Sequence, residues 1–352
     1  MMPFAIATLL PALLLGLACV LGGVWAILGI LTITVVVFFL DKMGRAEVPS
    51  ARTGHRLSEV LGIVHFILLG LAVWAMGGPL PTMDKVLIVV GCGLYFGQIS
   101  NSNAHELIHR ADRWAFRLGA ANYISVLFGH HTSAHRLVHH VHVATPRDPA
   151  SAPKGRGFWA YLPRTWAGSF RAGLRAERQR HGGVRFPAPY VVYAVGACVT
   201  LAIAYALGGG AGIAGLIAIA LYAQTQLMLS DYVQHYGLRR AVLPSGKHAP
   251  MGPAHSWNAP HWYSSAMMLN APRHSAHHTR PTRAFPQLDL DPSTMPVLPH
   301  SLPVMAVVAL VPPLWRRVMD RRVDAWSAPH SDGEVMPAAR VVAGVAPSTL
   351  AH

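Results

Sequence analysis

Six stretches of this chain are apolar over roughly the 20 residues that a helix needs to cross a bilayer. They lie at about 4–21, 24–40, 58–76, 86–103, 188–207 and 211–230. Hydrocarbon offers no water to a backbone amide, so such runs must become helices that satisfy their own hydrogen bonds. Of the 352 residues, 52% are hydrophobic and 12% charged, where an ordinary soluble domain has roughly a quarter charged. A water-soluble globule is excluded, and the fold class expected is an all-α integral membrane protein. The runs pair into three hairpins turning at Gly22-Gly23, Gly77-Gly78-Pro79 and Gly208-Gly209-Gly210. All three turns fall on one side of the membrane if every run crosses it. The first run has no basic residue ahead of it and leads directly into a second, so it reads as a span and not as a cleavable signal peptide.

The net charge of +14 tests this topology, because cytoplasmic segments carry the Lys/Arg excess. Segment 41–57 holds four basic residues, 104–187 holds 13 and the chain after 230 holds 11, leaving only Lys85 of the 29 on the hairpin side. Both termini and the large polar segments are therefore expected in the cytoplasm. Nucleic-acid binding is a poor explanation, since the basic residues accompany no recognition motif. A basic face does suit an acidic partner or anionic lipid headgroups. Cys19, Cys92 and Cys198 all lie in apolar stretches with no CxxC, which excludes a disulfide scaffold and a Cys-ligated metal centre. No internal repeat is evident. Residues 1–326 read as a single domain, and the Ala/Val/Gly-rich 327–352 as a poorly ordered tail.

Such an apolar chain has 21 histidines to explain. His105 and His109 follow the fourth run at i, i+4, one face of a continuing helix. His135, His139 and His140 repeat that spacing with a neighbour added; His274, His277 and His278 stand at i, i+3, i+4. Each of these two clusters is expected to show three imidazoles on one helix side. His235 stands alone where the sixth run ends. Neutral imidazole suits iron, copper, zinc and nickel, and two ions with four or five nitrogen ligands each would use about nine histidines. These nine are the candidate ligands, forming a histidine-rich cytoplasmic helical cap. Glu106 and Asp231 are candidates for orienting an imidazole through its second nitrogen. His130, His131 and His142 read as supporting donors or caps. His55, His65, His181, His248, His255, His261, His300, His330 and His352 read as surface or interfacial residues. His105-Glu106-Leu107-Ile108-His109 also matches the HExxH of zinc proteases, but a protease needs one further ligand and leaves the other clustered histidines without a purpose.

Taken together, these motifs resemble those of the membrane-bound alkane 1-monooxygenases, within the histidine-rich integral-membrane di-iron hydroxylases and desaturases. His105 to Arg110 resembles the family's first box, and His135 to His140 with Val143 to Ala150 its second. Asp231 to Leu238 resembles the box ending His-Tyr-Gly-Leu, and His274 to His278 with Pro281-Thr282-Arg283 the last. The likeness continues through Val311 to Asp320. Departures occur at Ala134 (usually Glu), Val138 (Gly), Gln234 (Glu), Asp231 (Asn) and Asn270-Ala271-Pro272 (Leu-Gln). None removes a ligand.

The resemblance implies two non-haem irons, O2 as co-substrate, and hydroxylation of the terminal methyl of an n-alkane to a 1-alkanol. It further implies electrons from rubredoxin with its reductase, an alkane entering laterally from membrane lipid, and a place in the bacterial inner membrane. A methyl-aromatic (xylene-type) hydroxylase or an acyl-lipid desaturase would use the same metal site on another substrate.

Overall fold

Among the described residues, 1–43 and 54–327, the computed structural model consists of helices, with only two isolated β-bridges. Four long apolar helices come first: α1 (Met2–Leu21), α2 (Val24–Met43), α3 (His55–Gly77) and α4 (Thr82–Ile108). Then follow α5 (Arg113–Ser125), α6 (131–142), α7 (Phe158–Arg180) and α8 (Ala188–His235). The described residues close with four further helices, α9 (Trp262–Met267), α10 (His274–Thr279), α11 (Leu302–Ala309) and α12 (Pro312–Ser327). The sequence-based expectation for the tail lies, from 328 onward, outside the described residues.

α8 is 48 residues long but not straight, because Gly209 takes φ 60° and ψ −150°. A Cβ on Gly212 would stand 2.5 Å from the Ala204 carbonyl oxygen. Eight residues of straight helix would separate these positions by about 12 Å. The two halves, 188–208 and 210–235, thus fold back on each other. The fifth and sixth apolar runs of the sequence are these halves.

The three glycine turns meet at one end of the bundle. Gly22 and Gly23 adopt φ 66° and 63°, a left-handed backbone that glycine enters without steric cost. The Gly23 N–H donates to Asp84 Oδ2 at 3.0 Å, and Lys85 Nζ to the Gly78 carbonyl at 2.8 Å. A Cβ on Gly77 would lie 2.7 Å from Gly208 Cα, so α3 and α8 touch backbone to backbone. The histidine-bearing ends of α4 and α8 lie at the opposite end.

Large apolar side chains form an exposed belt on the long helices: Leu13 is 61% exposed, Ile67 58%, and Phe39 and Val192 57% each. Phe4, Leu15, Ile99, Leu216 and Ile219 meanwhile fill the bundle interior. An apolar exterior over an apolar core fits a hydrocarbon solvent, where burial inside the protein gains little over contact with lipid.

The cap is stapled to the bundle by polar contacts. Buried Asp41, near the end of α2, accepts the Tyr263 and Ser264 amides at 3.0 and 2.9 Å, supplying the anionic cap that α9 lacks in its own sequence. Trp262 Nε1 donates to the Leu40 carbonyl at 2.8 Å. Buried Asn103 of α4 donates to the Ser58 carbonyl of α3 at 2.9 Å.

Candidate metal centre

Four elements bring the nine candidate histidines to one place. α4 changes to a π-helical turn at Tyr95–Ser100 before the Asn101–Ile108 segment that carries His105, and His109 follows as that segment's C-cap. α6 has a second π turn, His135–His139. π turns recur at functional sites because they re-aim the residues that follow. α8 delivers His235 as its last residue, and α10 carries His274, His277 and His278.

The nitrogens form two sets. His105, His109, His135, His140 and His277 make one, and His139, His235, His274 and His278 the other; within each set the nitrogens lie within 4.8 Å of one another. Each of α6 and α10 brings its three imidazoles together, with ring centroids 4.6–5.9 Å apart, but divides them between the sets. In α6 the π turn aligns His135 with His140, five residues on, and sends His139 to the second set. α10 divides likewise, His277 to the first set and His274 with His278 to the second. Two helices therefore contribute to both sets and hold them side by side.

The rings meet nitrogen to nitrogen. In the first set Nε2–Nε2 distances are 2.7 Å for His105–His135, 2.9 Å for His135–His140 and 3.1 Å for His140–His277. In the second they are 2.9 Å for His235–His274 and 3.1 Å for His274–His278. A neutral imidazole has one N–H, so His135 and His274 cannot each donate one proton to two neighbours. Two nitrogens bound at right angles to one ion at about 2.1 Å stand about 3.0 Å apart, the spacing found. His109 Nε2 and His139 Nε2 are buried with no hydrogen-bond partner. This donor set fits two ions of the imidazole-binding transition metals.

Electrostatics favour the ligand form. Burial, followed by the neighbouring histidines, holds His135, His140, His277 and His278 well below the ordinary histidine range, so these rings are neutral at neutral pH. His139 is the exception. Burial lowers it, but the Asp148 carboxylate, by charge and by hydrogen bond, outweighs burial and raises it. Asp148 itself is held below the usual carboxylate range: burial raises it, and His139, Ser151 and the Ala150 amide more than reverse this. His139 Nδ1 and Asp148 Oδ2 are 2.9 Å apart, a carboxylate–histidine pair that fixes the tautomer and aims Nε2 inward.

Other supports come from loops. Asn258 Oδ1 accepts the Ser275 amide at 2.9 Å, and its Nδ2 donates to Ser275 Oγ at 2.8 Å, anchoring the start of α10. Leu269 and Asn270 take φ 49° and 56°, and Asn270 Nδ2 donates to the Phe285 carbonyl at 2.9 Å. Gln234 Nε2 donates to the Ala271 carbonyl at 3.0 Å, so the departure from Glu at this position ties α8 to the loop before His274.

Glu106 and Asp231 form no hydrogen bond to a clustered imidazole among the described residues. Glu106 lies near the Phe285 backbone and Arg110; Asp231 lines a small cavity with His139 and Asp148. Asp148 was not singled out from the sequence, although it stands nine residues after His139 inside the segment that follows the second box. His131 packs by ring contact between Tyr123 and His135. His65 corrects the surface or interfacial reading. It is buried in the bundle, with Nδ1 2.5 Å from Ser100 Oγ and Nε2 2.7 Å from Ser125 Oγ, hydroxyls that satisfy both ring nitrogens.

An apolar cavity of about 470 Å³ lies between α2, α4, α8 and α11, lined by residues such as Ile33, Val37, Leu94 and Leu229. It reaches Asn101 and Ser102, one helical turn before His105.

Residues 85–305 match the model of the fatty acid desaturase family. The chain is 33% identical to an alkane 1-monooxygenase of Acinetobacter baylyi, over 68% of this chain and 60% of that protein. It is 31% identical to alkane 1-monooxygenase 2 of Pseudomonas aeruginosa, over 74% of this chain and 72% of the relative, and 32% identical to alkane 1-monooxygenase 1 of Alcanivorax borkumensis, over 76% and 67%. The chain thus spans less than two thirds of the Acinetobacter protein's length. With the histidine sets, the apolar helices and these matches in agreement, the chain belongs to the alkane 1-monooxygenases of the fatty acid desaturase family.

Proposed function

We propose that this chain is a non-haem di-iron monooxygenase that converts n-alkanes to 1-alkanols with O2 and electrons from rubredoxin. The observation that carries the reading is the gathering of nine imidazoles into two metal-ligand sets, with an apolar cavity whose lining reaches Asn101 and Ser102, one helical turn before His105. His105, His109, His135, His140 and His277 would hold one iron, and His139, His235, His274 and His278 the other. When bound, the irons supply reductive O2 activation, which no side chain of the cluster can perform alone.

The chain's own residues supply position. Ile33, Val37, Leu94 and Leu229 offer an alkane an apolar lining and exclude water from its length. Asn101 and Ser102 end that lining one turn short of His105, so the substrate's terminal carbon is the part brought toward the imidazoles. Asp148 holds the proton of His139 on Nδ1 and leaves Nε2 as a ligand.

The Lys/Arg distribution supports six crossings of the bacterial inner membrane with both termini and the histidine cap in the cytoplasm. The same basic face suits rubredoxin, expected to be acidic, as the donor. Against a zinc protease stands the donor set, since His105 and His109 share theirs with three further histidines where one further ligand suffices.

The test is gas chromatography with mass detection on iron-replete cells co-expressing the chain with rubredoxin and rubredoxin reductase, fed n-alkanes, toluene and xylene. Terminal alcohols are expected. Benzylic alcohols alone would move the function to methyl-aromatic hydroxylation, and unsaturated acyl lipids without any alcohol would move it to desaturation.

A further inference from the structure

A second cleft, of about 680 Å³, lies between α5, the π turn of α6, the C-terminal end of α7 and the N-terminal end of α8. Arg117, Arg136 and Arg180 line it together with apolar Ile124, Ala121 and Val192. None of the three guanidiniums has an ion pair among the described residues. Arg136 lies over the Phe116 ring, 4.8 Å from its centroid, and feels the repulsion of Arg180 together with the opposing attraction of Glu177. The acid of the cleft, Glu177, is already engaged: one carboxylate oxygen accepts from Ser133 Oγ at 2.6 Å, and the other stands 3.5 Å from His181 Nδ1. Positive charge is left in excess.

The cleft sits where α8 enters its apolar run. Val191, Val192 and Val195 follow within two turns of the helix start and are 46%, 57% and 57% exposed, so the apolar part of the cleft continues onto the outer belt. Three guanidiniums against one carboxylate, gathered over an apolar wall at a membrane boundary, favour an anion attached to a hydrocarbon tail. A free phosphate leaves the apolar wall uncovered, and an acidic protein surface does not extend into the belt.

We propose that this cleft binds the phosphate headgroup of an anionic phospholipid through Arg117, Arg136 and Arg180, with an acyl chain along Ile124 and Val192. Such a lipid relieves the Arg136–Arg180 repulsion. Arg136 belongs to the π turn that carries His135 and His139, so occupancy also steadies that turn. The binding itself does not depend on the reaction proposed above.

The test uses the full chain purified in detergent, with its thermal unfolding midpoint followed on adding dioctanoyl phosphatidylglycerol, dioctanoyl phosphatidylcholine or inorganic phosphate. A saturable rise is expected with phosphatidylglycerol only. Arg117→Gln/Arg180→Gln weakens that response about tenfold or more, whereas Arg171→Gln/Arg175→Gln, on α7 but outside the cleft, leaves it intact. Arg180→Gln alone, at an exposed helix end, gives the same comparison should the double variant not fold. An equal rise with phosphatidylcholine, a rise with inorganic phosphate alone, or an undiminished phosphatidylglycerol response in the Arg180 variants would overturn the proposal.

Discussion

His139 Nδ1 and Asp148 Oδ2 stand 2.9 Å apart, both side chains buried, while the opposite nitrogen, His139 Nε2, turns without a protein partner into the second histidine set. Asp148 is itself held by Ser151 Oγ at 2.6 Å and the Ala150 amide at 3.0 Å. The pair makes Asp148 the acid that orients the ligand. Asp148→Ala is expected to lower metal affinity about 10–100-fold, and Asp148→Asn by less. Iron retained after dialysis against graded chelator measures this; unchanged retention in Asp148→Ala would exclude the orienting role.

The two sets share helices but no imidazole, so single substitutions should act on one set at a time. His277→Ala is expected to weaken the first set and His235→Ala the second, each reducing iron to about one per chain and abolishing hydroxylation. Elemental analysis of the variants decides it. Full iron content in both would show that the sets are not binding sites.

His65 should separate stability from metal binding. His65→Leu leaves the Ser100 hydroxyl without its partner, a cost of about 1–3 kcal/mol for an unsatisfied buried group. A lowered unfolding midpoint with unchanged iron content is the expected result. Loss of iron at an unchanged midpoint would place His65 in the metal chemistry instead.

Gly208 and Gly209 should differ though adjacent. A Cβ at Gly208 would stand 2.5 Å from the Val73 carbonyl oxygen, whereas one at Gly209 meets nothing within 4 Å and carries only the strain of φ 60°. Gly209→Ala is expected to cost about 1–2 kcal/mol, and Gly208→Val to prevent α3 and α8 from packing. Size-exclusion profiles and unfolding midpoints of the two variants test this ordering.

Cavity length should set substrate length. Ala306 lines the apolar cavity, and Ala306→Phe fills part of it without touching a histidine set. The product profile is expected to shift toward shorter alkanes at unchanged iron content. An unshifted profile would mean that the alkane binds elsewhere.

Much of this was legible in the sequence because the bilayer imposes a length and helices impose a spacing. The apolar runs reappear as helices, and even the reversal within α8 falls in the glycine triplet that separates the fifth and sixth runs. All nine spaced histidines converge. Their division into two sets was not legible, since it depends on a π turn at His135–His139 that regular helical spacing conceals. Asp148 was hidden for a related reason: it reaches His139 across a turn, and only periodic positions announce a shared face. His65 misled because its partners, Ser100 and Ser125, are distant in sequence and come from two other helices.

The central claim is that the nine histidines hold two irons. Elemental analysis of the purified, iron-replete protein tests it most directly. About two irons per chain, falling on substitution of either set, is the result predicted; one zinc and no iron would contradict the assignment.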